Sequence, residues 1–103
     1  MVRESLGGLM DEVSDPDSLT VLRRVIAASA EGAIEVHDIR TRTVGNSMFV
    51  EFHLVVPGRM AVEDAHAIRD RIEDALREQA GATSFSIHVE PDSRAKHRGV
   101  VLL

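Results

Sequence analysis

Cysteine, tryptophan and tyrosine are absent from the 103 residues, and phenylalanine occurs only three times. Without cysteine there is no disulfide, no thiolate metal ligand and no thiol nucleophile. With so few rings, the core has to be built from aliphatic side chains. No apolar run approaches the roughly 18–20 residues that a membrane helix requires. The leading "MVRESLGGLMDEV" lacks the apolar stretch of a signal peptide, so the chain as given is expected to be soluble. A basic excess is missing too. Twelve Lys and Arg stand against 17 Asp and Glu, a net charge of −5. Nucleic-acid binders carry a basic stripe, so that class is set aside, and the acidic balance leans toward cationic partners. What is present is a 44% apolar fraction, sufficient for one core in one domain and too high for a disordered chain.

Residues 1–16, with Gly7, Gly8, Asp15 and Pro16, read as a lead-in segment. A first helix is expected over about 18–31, capped by Asp17 or Ser18 and ended by Gly32, because Leu19, Leu22, Val25, Ile26 and Ser29 recur near helical spacing. A β-hairpin follows, with strands over about 34–43 and 47–56 joined at Gly45-Asn46. In its second strand Met48, Val50, Phe52, Leu54 and Val56 share one face, while Glu51 and His53 share the other. A second helix over about 61–80 carries the apolar stripe Ala65, Ile68, Ile72, Ala75 and Leu76 and ends at Gly81. The third strand is "TSFSIHVEP". There Phe85, Ile87 and Val89 point one way, and Ser86, His88 and Glu90 the other. The expected fold is α+β: an αββαβ two-layer sandwich, ferredoxin-like or metallochaperone-like, with a three-stranded mixed sheet and two helices on one face. Residues 17–91 form the domain and 92–103 a tail. The helix-free face of the sheet carries the polar set.

Five histidines occur: His37, His53, His66, His88 and His97. His53 and His88 are out of phase with the apolar set of their strands, and Glu90 joins His88. His37 lies in "EVHDIR", which alternates poorly and invites a bulge. His66 borders the apolar stripe of the second helix, with Glu63 and Asp70 at i−3 and i+4. Imidazoles plus a carboxylate from separate elements suit Zn²⁺ or a neighbouring transition ion. Spacing alone leaves a second reading open, in which these are ordinary surface side chains. Enzymatic chemistry has little support. Ser86 and His88 share a face, but no strained nucleophile turn accompanies them. Neither "GG" at 7–8 nor "VGNS" matches a phosphate loop or a dinucleotide fingerprint.

Four segments in order, "ESLGGLMDE", "VHDIRTRTVGNSMFVEFHLVV", "VEDAHAIRDRIEDAL" and "IHVEP", resemble the cytoplasmic C-terminal domain of cation diffusion facilitator transporters. The resemblance covers roughly residues 4–91 and implies the αββαβ fold. It further implies a homodimer in the cytoplasm that closes on binding divalent metal, beneath an inner-membrane domain that exchanges metal for protons. It implies no catalysis. Carried over position by position, it makes His37, His53, His66, His88 and Glu90 the metal ligands, with Zn²⁺ the expected ion. Glu90 stands where some members have Asp. Asp11 matches an acidic position that pairs with basic residues of the membrane domain, and 1–16 becomes the linker to that domain. His97 falls outside the resemblance. A free-standing metal- or effector-binding module of the same fold, and a metal-free dimerisation domain, stay open as alternatives. Imidazole ligates only when unprotonated, so zinc affinity measured by titration calorimetry is expected to fall steeply from pH about 7 to about 5.5. Equal affinity at the two ends would exclude histidine ligation.

Overall fold

The computed structural model describes the backbone of residues 16–94 and 100–101 and the side chains of 19–93. Asp11 and His97 lie outside the described residues. The elements are α1 (Pro16–Ser29), β1 (Glu35–Val44), β2 (Ser47–Val56), α2 (Val62–Ala80), β3 (Ser84–Pro91), a 3₁₀ turn (Asp92–Arg94) and β4 (Val100–Val101). Two helices and a mixed three-stranded sheet make the αββαβ, α+β arrangement. The tail adds β4 as a two-residue fourth strand, giving the order β3-β2-β1-β4.

Helix α1 begins two residues before the expected start. Proline suits a first helical position, where its missing N–H is no loss. The helix also stops earlier, at Ser29, whose Oγ turns back to donate to Val25 O at 2.6 Å. Arg71 of α2 then donates to Ser29 O at 2.7 Å and to Glu31 O, satisfying carbonyls that a helix end leaves orphaned. Gly32 follows at φ +102°, and a Cβ there would stand 3.1 Å from Ile68 Cδ1. At this left-handed φ, which glycine adopts without strain, a side chain would also press on Ile68. Helix α2 ends as expected, with Gly81 left-handed and its N–H on Leu76 O.

β1 and β2 form an antiparallel hairpin, whereas β2 and β3 run parallel. Parallel neighbours need a long crossover, which α2 supplies. The core lies between helices and sheet. Leu22, Val25 and Ile26 of α1 meet Ala65, Ile68, Ile72 and Leu76 of α2 over Val36, Val50, Phe52, Leu54 and Val56 of the sheet. Phe85 and Ile87 join it partly buried, but Val89 does not; it is 41% exposed, although alternation assigned it to the core side. It sits near the end of β3, on the outer strand of the sheet, where one flank has no neighbouring strand among the described residues.

β1 is irregular at one point. His37 pairs with His53 and Arg40 with Glu51, so Asp38 and Ile39 together oppose Phe52. Asp38 has φ +56°, a left-handed conformation that Asp tolerates better than most residues. This one-residue bulge switches the phase of the strand. Before it, Val36 faces the core; after it, Thr41 and Thr43 pair with Val50 and Met48 on the core side.

Phe52 is fully buried opposite the bulge. Phe52→Ala is expected to lower unfolding stability by about 3–5 kcal/mol, read from the urea midpoint at unchanged m-value.

Candidate metal centre

The helix-free sheet face is a small lattice. His37, His53 and His88 occupy one row across β1, β2 and β3; Glu35, Val55 and Glu90 occupy the next. Residues of one row are cross-strand neighbours, and diagonal ones remain within reach of long side chains. The three rings stack in sequence: His37 on His53 at 5.2 Å between centroids and 29°, then His53 on His88 at 4.7 Å and 25°.

Carboxylates surround them. Glu90 lies diagonally across the rows, with Oε2 accepting from His53 Nδ1 at 2.5 Å and Oε1 3.5 Å from His37 Nε2. Glu35 holds the other side of His37, its Oε2 2.6 Å from Nδ1. Asp38 is brought in by the bulge: a carboxylate oxygen of Asp38 and a ring nitrogen each of His37 and His53 lie within 4.8 Å of one another. His37 is 3% exposed, and its buried Nε2 has no hydrogen-bond partner among the described residues. A buried polar atom left without a partner is rare and calls for a cause.

Of the five sequence-derived ligands, His37 and His53 fall together with Asp38 in one cluster, and Glu90 contacts both rings. His88 stacks on the outer side of His53, half-exposed, with Nε2 turned to Glu51 Oε2 at 3.6 Å. His66 is exposed on α2, where Arg69 donates to its Nδ1 at 3.2 Å, and it is no part of the strand cluster in a single chain. Sequence reading missed Glu35 and Asp38. For Glu35 the signal was available, since i−2 from His37 on a strand is the same face. For Asp38 it was the broken alternation of "EVHDIR", which pointed to a bulge without saying which residue would turn outward.

These donors suit a divalent transition ion. Around a tetrahedral zinc, ligand atoms stand about 3.3 Å apart, as bond lengths near 2.0–2.1 Å require. The gap of 3.5 Å between His37 Nε2 and Glu90 Oε1 is of that size, and the unpartnered nitrogen borders it. His37, His53, Asp38 and Glu90 would hold the ion, nitrogen and oxygen donors of intermediate hardness.

Replacing Asp38 separates backbone from ligand. Asp38→Gly keeps the bulge and loses the carboxylate, and zinc affinity is expected to drop about tenfold. Asp38→Ala loses the carboxylate too and adds roughly 1 kcal/mol of left-handed strain. The two variants should match in calorimetric zinc affinity and differ in melting temperature, alanine below glycine.

The family described as "Cation efflux protein, cytoplasmic domain" matches residues 14–92. Among curated relatives, an uncharacterised transporter of Synechocystis, sll1263, is 29% identical over 88% of the chain, and the cation-efflux pump FieF of Shewanella oneidensis is 29% identical over 84%. The chain spans only 29% of the length of each. Among solved structures, the zinc form of CzrB, a protein described as a zinc transporter, superposes with a TM-score of 0.77 at 41% identity, covering 84% of this chain and 99% of that one. The metal-bound C-terminal domain of the CzcD transporter from Thermotoga maritima has the same fold, with a TM-score of 0.68 at 24% identity, over 81% of this chain and all of that one. With more than half of its length matched by the family, and with the fold and donor cluster already in place, the chain belongs to the cytoplasmic domains of the cation efflux proteins.

Proposed function

We propose that this chain is the regulatory and dimerisation domain of a divalent-cation efflux transporter of the inner membrane, binding zinc on the cytoplasmic side. The observation that carries the reading is the buried, unpartnered His37 Nε2 facing Glu90 and flanked by His53 and Asp38. The zinc form of the 41% identical CzrB domain supports zinc as the ion. The ligand set is His37, His53 and Glu90 with Asp38. His88 is one ring further out, able to extend the site toward Glu51. His66 is the donor that a second copy would add in a closed homodimer.

Charge supplies the driving force. Glu35, Asp38, Glu51 and Glu90 crowd one sheet face of a chain that is already net negative. A dication offsets that repulsion and ties β1, β2 and β3 together. If it binds the closed dimer more tightly than the open one, it shifts the pair toward closure by that difference in affinity and by nothing else. A tenfold preference corresponds to about 1.4 kcal/mol, sufficient to bias two loosely hinged arms. Closure would then tune metal-for-proton exchange by the membrane domain of the parent protein, with no catalysis in this domain.

Zinc at about 100 times its dissociation constant stabilises a folded binder by about 2.7 kcal/mol. The melting temperature of the chain should therefore rise with zinc, and the radius of gyration of its dimer, from X-ray scattering, should shrink at constant mass. A dimer whose melting point and dimensions ignore zinc would instead be a metal-free dimerisation domain.

A further inference from the structure

We propose that Glu35 is a positioning residue of the metal site: it locks His37 in the tautomer whose Nε2 lone pair faces the ion, so that this ligand is set before metal arrives. The proposal rests on the reading that His37 and its neighbours hold metal, and it adds a residue that touches no ion.

Glu35 is an unusual residue to find at 0% exposure, since a carboxylate is rarely buried without a partner. Its backbone is paired on both sides, to Val55 of β2 and Val101 of β4, so its side chain starts from a fixed point. From there Oε2 reaches His37 Nδ1 at 2.6 Å. If Glu35 is ionised it can only accept, and Nδ1 then carries the proton and donates. In a neutral imidazole the lone pair then belongs to Nε2. That nitrogen is the one that is buried without a partner, 3.5 Å from Glu90 Oε1. One end of the ring is held by a buried acceptor, and the other end is left bare toward the candidate centre. An ion at that point would give the bare nitrogen a partner.

The other two rings of the row differ. His53 meets Glu90, and His88 meets Glu51, at carboxylates that are 22% and 44% exposed. Solvent can replace those partners, and the rings can turn. His37 is the member of the row whose orientation is fixed from beneath. A carboxylate behind a ligating imidazole sets its tautomer and raises its basicity, and such outer partners are typically worth 10- to 100-fold in metal affinity.

Glu35→Gln tests this. Glutamine keeps the size of the side chain but can either accept from Nδ1 or donate to it, so it no longer dictates the tautomer. Long-range nitrogen–proton NMR of the zinc-free chain should show His37 as a single Nδ1–H tautomer in the wild type and as a mixture in E35Q. Zinc affinity, read by competition with a chromophoric chelator, should fall 10- to 100-fold in E35Q and at least as far in Glu35→Leu. Should E35L fail to fold, the near-isosteric E35Q carries the test. His53→Ala is the control for the site itself. If H53A binds zinc as well as the wild type, the metal centre is misplaced whatever Glu35 does. If H53A loses zinc while E35Q retains both wild-type affinity and the single tautomer, the site stands and the role assigned to Glu35 is overturned.

Discussion

The bulge at Asp38 is the constraint on which the polar face depends. Strict alternation through "EVHDIRTRTV" would place Arg40 and Arg42 beside Val36 on the core side, and Ile39 beside His37 on the open side. Neither placement is tolerable: two guanidinium groups would be buried and an isoleucine wasted. One extra residue opposite Phe52 resolves the conflict. Val36 stays inside, Ile39 packs partly against the core, Thr41 is buried, and Arg40 and Arg42 emerge to solvent. The left-handed residue that makes the turn is also an acid, and its carboxylate lands beside two imidazoles. Correction of the apolar phase and placement of a carboxylate beside two imidazoles are one event in the backbone.

The same logic extends across the sheet. His53 and His88 are 35 residues apart, and the parallel register of β2 and β3 brings them side by side. That register is held by the core. Val50, Phe52, Leu54 and Val56 are buried on one face, and a slip of one residue would exchange every inward and outward side chain. The helix that bridges the two strands docks by Ala65, Ile68, Ile72 and Leu76, which leaves little freedom to slide. The direction of three histidines is thus decided by residues of the core.

This explains what could be read in advance and what could not. The five main elements, the apolar face of β2 and the outward set His53, His88 and Glu90 all follow from periods of two and of 3.6 in the sequence. Those periods are local, and each segment states its own. The position of His37 did not follow, because its strand obeys two phases joined at a residue whose backbone breaks the pattern. Glu35 escaped notice for a related reason: acids on strands are ordinarily solvated, and its burial depends on neighbours in other elements. The pairing of Val100 with Val36 was likewise out of reach, since a two-residue strand has no period. For His66 the helix was right and the side chain is exposed, and a single chain does not carry it to the strand cluster.

The geometry also bears on why such a centre suits a switch. Its inner side is held: His37 is buried, in contact with Glu35, whose backbone is paired on both edges. Its outer side is wet, with His53 and Glu90 each about a quarter exposed in their side chains. On the proposed reading, an ion held against one sheet face has protein on one side and solvent on the other. The exposed side of such a donor set can be completed by water or by a donor from another molecule. The two completions differ in affinity, and that difference is the only free energy metal can apply to an equilibrium between separated and apposed subunits. A fully enclosed site would bind more tightly and report nothing. On the proposed reading, half burial would let the occupancy of the ion depend on the approach of a second chain.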